Sequence, residues 1–321
     1  MQIGIFTPIF SSLSLESLLR ELKTYPEITA IEIGCGGWPG DSHINVAELL
    51  SDKSAAKDYR QRFIDSNLTI SALSCHNNPV HPNSEIAQRD RKTIEDTIRL
   101  AEVLEVPVVI TFSGCPGGAP TDTTPNWITA AWPPEYQSML EWQWEKQLIP
   151  YWRSAEQIAS SAGVKIALEA HPGFCVYNPE TLLRLRAATG RSLGINLDPS
   201  HMWWQGIDIS TAISDLGDAI FHFHAKDIFI NPNTTRKNGV VDTKNYSRMN
   251  ERSWLFRSVG WGHSELEWKA IASALRLANY DYVMSIEHED ALASTSEGLR
   301  SAVNTLSRIL LKEPPVDAFW T

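Results

Sequence analysis

The chain has 321 residues and a mass of 35.9 kDa, with 43% hydrophobic and 21% charged residues, enough to bury a large core. A formal net charge of −10 and a pI near 5.4 argue against a nucleic-acid binder, which normally shows a basic face. The opening MQIGIFTPIFSS has no basic n-region and too short an apolar run for a signal core or spanning helix, so a cytoplasmic protein with no membrane partner is expected.

Strand-like apolar runs recur along the chain: IGIFTPIF (3–10), AIEIGCGG (30–37), TISALSCH (69–76), VPVVITFSG (106–114), VKIALEAH (164–171), SLGINLDPSH (192–201), IFHFHAKD (220–227) and YVMSIEHE (282–289). Between most of them lie segments with apolar residues at helical spacing, such as SEIAQRDRKTIEDTIRLAEVLE and HSELEWKAIASALRLANY. Continuous apolar strands joined by helical crossovers predict a parallel sheet buried on both faces. Eight such units predict a (β/α)8 TIM barrel over 1–313, with an extension at 314–321 whose Phe319 and Trp320 dock on the barrel or on a second copy. A doubly wound sheet is the alternative, but the first strand ends in TPIFSS and lacks GxGxxG. The glycines of 34–40 and 113–120 read as turns that let backbone approach a ligand. Cys35, Cys75, Cys115 and Cys175 are scattered without CxxC, so they read as core or loop thiols.

Two connections are long, 114–137 after strand four and 228–263 after strand seven. Both leave the strand ends where a barrel places its active site, and both are expected to act as lids or partner surfaces. Six tryptophans, Trp38, Trp127, Trp132, Trp203, Trp204 and Trp261, fall in strand-end loops, where they stack on a sugar or simply pack.

The chemistry collects at the ends of strands five to eight. Glu169, Asp198, His224 and Glu287 are far apart in sequence, but a barrel brings neighbouring strand ends to one mouth. Three carboxylates and one imidazole form a hard, oxygen-rich set suited to Mn²⁺, Mg²⁺ or Co²⁺, with Zn²⁺ less natural. His201 lies three residues past Asp198 and reads as a substrate-oxygen contact ahead of a ligand to a second metal. His171, Lys226 and His76 are weaker candidates for substrate binding, and Glu32 inside strand two for lining the pocket. Alternation places His222 on the His224 side, one layer below. His288 points away from Glu287 and reads as structural, Glu289 lies beyond the strand end, and His43, His81 and His263 read as surface histidines.

At the pieces ALEAH, NLDPSH, FHFHAKD and SIEHED the sequence resembles the sugar phosphate isomerase/epimerase group of the xylose isomerase-like barrels, related to inosose dehydratase and the tagatose-type 3-epimerases. The resemblance implies a divalent metal, Mn²⁺ first, on Glu169, Asp198, His224 and Glu287. It also implies that Glu169 and Glu287 form the proton-transfer pair and that His201 contacts substrate. Tagatose-type epimerases carry an arginine soon after the strand-seven histidine; here that role is vacant or passes to Arg236 or Lys237. The long insertion after strand seven resembles members acting on larger or oxidised substrates such as 3-keto-glycosides. The expected activity is a metal-dependent sugar isomerase or epimerase that abstracts a proton beside a carbonyl, in a homo-oligomer. A lyase or dehydratase on a keto-sugar or inosose is the first alternative, and a non-catalytic sugar-binding or partner subunit the second.

Overall fold

The computed structural model describes residues 1–318 and 320. Strands β1 (Gln2–Phe6), β2 (Ile28–Gly34), β3 (Thr69–Ser74), β4 (Val108–Phe112), β5 (Lys165–Glu169), β6 (Leu193–Leu197), β7 (Ile220–Ala225) and, near the C-terminus, β10 (Val283–Ile286) close into a barrel. Every neighbouring pair is parallel, and β10 closes the ring on β1 with Gly4 opposite Ser285. Helices such as Ser84–Leu104, Ile149–Ser161 and Glu265–Leu277 cover the outside. Among the described residues no helix is long and apolar enough to cross a membrane.

Alternation along each strand sorts the residues into two populations. Outward positions such as Ile31, Ile33, Ile166, Leu168, Ile195, Leu197 and Phe223 pack against the helices in one continuous cluster. Ala72, Val108, Ile110, Ala167 and Phe221 form a second, separate cluster. The positions that follow Ala72, Ala167 and Phe221 on the inward side are polar: Ser74, Glu169, and His222 with His224. Phe221 is an extra residue in the β6–β7 register, since Ile195 pairs Ile220 while Asn196 pairs His222. This shift sends both histidines of β7 into the barrel.

The structure shortens the first predicted strand, because Thr7–Phe10 turn into a 3-10 helix with Pro8 near its start. The long connection after strand seven is itself partly regular. Residues 227–257 contain an antiparallel pair, β8 (Asp227–Ile230) and β9 (Trp254–Arg257), with Ile228 opposite Phe256. The hairpin is pinned at two buried acids. Asp227 accepts from the backbone N–H groups of Ile228, Gly260, Gly262 and His263, from Trp268 Nε1, and sits 2.7 Å from His263 Nδ1. Asp290 accepts from Arg257 Nε, from Ser258 N and Oγ, and from Leu292 N. The backbone passes so close here that a Cβ on Gly262 would lie 2.0 Å from the Ile228 carbonyl oxygen. Of the tail, Trp320 is 70% exposed, whereas Phe319 lies outside the described residues.

Candidate active site at the C-terminal mouth of the barrel

Glu169, Asp198, His224 and Glu287 each offer a ligand atom, and these atoms all lie within 4.8 Å of one another. Glu169 ends β5, Asp198 directly follows β6, His224 is in β7 and Glu287 directly follows β10. All four are buried, the most exposed being Glu287 at 7%. His224 Nδ1 is 3.2 Å from Glu169 Oε2 and 2.9 Å from Glu287 Oε2. Asp198 Oδ2, His224 Nδ1 and Glu287 Oε2 have no hydrogen bond of good geometry although they are buried and crowded together; what they meet are charged neighbours, the Lys226 ammonium 3.0 and 2.8 Å from the two oxygens, His201 Nε2 3.3 Å from Asp198, and carboxylate oxygens around Nδ1. Three carboxylates and an imidazole with ligand atoms this close together form a hard, oxygen-rich donor set that fits a divalent cation.

A second layer fixes these groups. Glu32 is fully buried in β2, with both carboxylate oxygens 3.0 Å from His224 Nε2. Ser74 and Ser285 hydroxyls donate to the same carboxylate. The His224 ring is thus held with Nε2 toward Glu32 and Nδ1 toward the cluster, as a carboxylate commonly holds a metal-binding imidazole. Asn196 Nδ2 donates to Glu169 Oε2 at 3.2 Å, and Asn196 Oδ1 meets His222 Nδ1 at 3.1 Å. His222 therefore lies beneath the site, as alternation implied. Glu32→Gln is expected to weaken Mn²⁺ affinity by about 10–100-fold, read by titration against a competing chelator; unchanged affinity would show that the Glu32 contact does not orient His224.

His76 Nε2 and His201 Nε2 approach the two oxygens of Glu169 at 3.0 and 3.1 Å, and His201 is also 3.3 Å from Asp198 Oδ2. Burial pushes the Glu169 carboxyl up, but hydrogen bonds from His201, His224 and His76 outweigh it and hold the group well below the usual carboxylate range. His171 packs its ring 4.0 Å from that of His201; burial, then the neighbouring His201, lowers its pKa to about 3, so it is neutral. Lys226 Nζ is 3.0 Å from Asp198 Oδ2, 2.8 Å from Glu287 Oε2 and 3.0 Å from Glu289 Oε2. Burial disfavours its charge, but Asp198, Glu287 and Glu289 together hold its pKa well above that of a free lysine. Asp198 itself is raised, chiefly by burial.

Glu169, Glu287, His76, His171, His201, Lys226 and Glu289 line a cavity of about 420 Å³ as its polar floor, while Asp198 and His224 are not among its lining residues. Lys226 is the one lysine or arginine among the described residues that line it. Arg236 and Lys237, expected to inherit the cationic role, instead stand on the helix Pro232–Asn238, which buries no residue. Neither residue is among those that line the cavity. The other insertion cations are tied internally: Arg252 to the Trp254 and Lys244 carbonyls, Arg257 to Asp290, Lys244 to Asp242, Arg248 to Glu251.

Several expectations need correction, but packing as the expected role of the loop tryptophans does not: of the six, only Trp38 lines the cavity. Trp203 and Trp204 are buried, stacked on His263 and Trp254, because the short helix Ser200–Trp203 turns them beneath the hairpin. The aromatic wall comes from Phe112, Tyr246 and Phe256, which the sequence reading did not single out. His263 is no surface histidine, being clamped between Asp227 and Trp203. His43 is buried, with Nε2 3.1 Å from the Phe10 carbonyl. Asn196 and Ser285 were also passed over. They stand two residues before Asp198 and Glu287, so the period of two identifies them as the inward residues one layer down.

Residues 20–307 match the family model described as xylose isomerase-like TIM barrel. The Bacillus subtilis (strain 168) protein YfiH is 38% identical over 313 residues, covering 97% of this chain and 99% of that protein. Among solved structures, an IOLI protein with a bound zinc atom superposes with a TM-score of 0.65 at 19% identity, covering 96% of each chain. The 3-keto-D-glucoside 4-epimerase YcjR from E. coli superposes with a TM-score of 0.63 at 14% identity, covering 96% of this chain and 98% of that one. At these identities the structural matches establish the fold alone.

Proposed function

The chain belongs to the xylose isomerase-like TIM barrel family, and from that premise we propose that it is a divalent-metal-dependent sugar isomerase or epimerase acting on a keto-sugar. The observation that carries this reading is the convergence of Glu169, Asp198, His224 and Glu287, all buried, with ligand atoms within 4.8 Å of one another. Mn²⁺ is the metal to test first. When bound, the cation supplies Lewis-acid stabilisation to the oxyanion that forms as the proton leaves.

The chain's own groups do the rest. Glu169, kept ionised by three imidazoles, takes the proton from the carbon beside the carbonyl. Glu287, which Lys226 and then His224 hold ionised despite its burial, relays a proton from Lys226, 2.8 Å away, to that carbon or its neighbour, and exchange with solvent afterwards returns the proton on Glu169 to water and reprotonates Lys226. His201 and His171 orient substrate hydroxyls, and His76, whose Nδ1 is buried without a partner, offers a further contact. Lys226, the one lysine or arginine among the described lining residues, is already shared among three carboxylates, which favours an uncharged substrate over a sugar phosphate. That chemistry, with the fold shared by a 3-keto-glucoside epimerase, points to keto-glycosides first.

Elemental analysis of the purified protein, followed by incubation of keto-glucosides in D₂O with and without Mn²⁺, tests the reading. Close to one divalent ion per chain and metal-dependent deuterium entry at the carbon beside the ketone are expected. Deuterium-free substrate in the presence of metal would overturn it, and loss of water or aglycone in place of exchange would move the assignment to a lyase.

A further inference from the structure

The cavity is chemically divided. Its floor is charged and polar, while Trp38, Tyr246, Met249, Leu255, Phe256 and Leu292 line the part toward the mouth. Three of these stand open to solvent: Trp38 is 59% exposed, Tyr246 53% and Leu292 56%. Apolar side chains gathered around the mouth of a polar cavity mark a place where a ligand buries apolar surface. The volume points the same way, since about 420 Å³ lies in the range that encloses a drug-sized ligand and exceeds the needs of one sugar ring.

The wall is built rather than loose. Tyr246 and Phe256 stack with centroids 5.7 Å apart, and Arg252 lies 4.2 Å from the Tyr246 ring. Asp290 accepts from Arg257 and Ser258, at the end of the hairpin, and from Leu292 N, so the hairpin and the segment that carries Leu292 share one buried anchor. Phe256 also joins wall to floor, with Lys226 Nζ 4.7 Å from its ring centroid and the His201 ring 5.5 Å away. A sugar ring seated on the floor would direct its outward substituent between these side chains.

Resting on the keto-sugar reading of the floor, we infer that the substrate is a glycoside with an apolar, preferably aromatic, aglycone, and that Trp38, Tyr246, Leu255, Phe256 and Leu292 form its subsite. A free ketose would leave this wall facing water, and a second sugar could stack on one aromatic ring but would leave Leu255 and Leu292 without an apolar partner. Selectivity then comes from burial of the aglycone, which raises affinity without requiring the ketone.

That independence sets the experiment. Calorimetric titration of the Mn²⁺-supplied protein with phenyl and methyl glucosides, in both anomers, measures the aglycone's contribution to ground-state binding. One phenyl glucoside is expected to bind about tenfold or more tighter than its methyl counterpart. Leu292→Ser and Tyr246→Ser, substitutions at exposed positions that the fold tolerates, should reduce that ratio to about threefold or less. Equal affinities in the wild type, an unchanged ratio in both variants, or no binding of either ligand at millimolar concentration would overturn the subsite. A phenyl preference without deuterium exchange into keto-glucosides would leave the subsite standing and sink the reaction; exchange without a phenyl preference would do the reverse.

Discussion

Glu169→Gln reduces deuterium entry into a keto-glucoside by about 10²–10⁴-fold, the range for losing a positioned general base. Glutamine nearly matches the shape but cannot take up a proton at this site. The change also disturbs the surroundings, because Glu169 accepts from donors on both oxygens: His76 and Asn196 approach Oε2, and His201 approaches Oε1. A glutamine presents an NH₂ to one side and sets donor against donor. Metal occupancy measured on the same samples separates the two consequences. A variant that still binds Mn²⁺ at saturation yet exchanges slowly has lost its base; one that loses the metal has lost a ligand. Exchange within about threefold of wild type at full occupancy would remove Glu169 from proton transfer.

Asp227→Ala lowers stability by about 3–5 kcal/mol, corresponding to a Tm drop of roughly 4–8 °C in a chain of this length. The residue is fully buried, and its side chain gathers four backbone N–H groups, the Trp268 indole N–H and the His263 ring at the root of the hairpin. Alanine leaves those donors without their acceptor in a region too tight for rearrangement, with Gly262 packed against the Ile228 carbonyl. Each buried donor stranded in this way costs about 1–3 kcal/mol, and water entering the cavity recovers part of the sum. Asp227→Asn keeps one acceptor oxygen and should fall between alanine and wild type in thermal melts at one scan rate. If alanine melts within about 2 °C of wild type, the anchor does not hold the hairpin.

His224 and Asp227 lie three residues apart on β7 and its continuation, and they show how the barrel shares work between floor and lid. His224 faces inward and belongs to the cluster of four; Asp227 begins β8 and belongs to the insertion. Lys226, between them, reaches back to Asp198, Glu287 and Glu289. The cation therefore reaches the floor from the strand end itself, and not from Arg236 or Lys237 in the insertion.

The sequence by itself determined the barrel. Parallel strands buried on both faces must be apolar throughout, and eight such runs with helical spacers leave few other architectures. It also determined that Glu169, Asp198, His224 and Glu287 would meet, because parallel strands end at one face and each of these residues stands at such an end. Only the tertiary structure decided what surrounds them. Glu32 lies 192 residues from His224 in the chain, and nothing in the local pattern of either residue announces a contact that the closed ring creates. The turn of Trp203 and Trp204 beneath the hairpin, and of Phe256 and Tyr246 toward the cavity, depends on how an irregular insertion folds back over the mouth. Such a segment has no single period to read, and its path is fixed by long-range hydrogen bonds to Asp227 and Asp290, which exist only once the barrel has brought those acids into place.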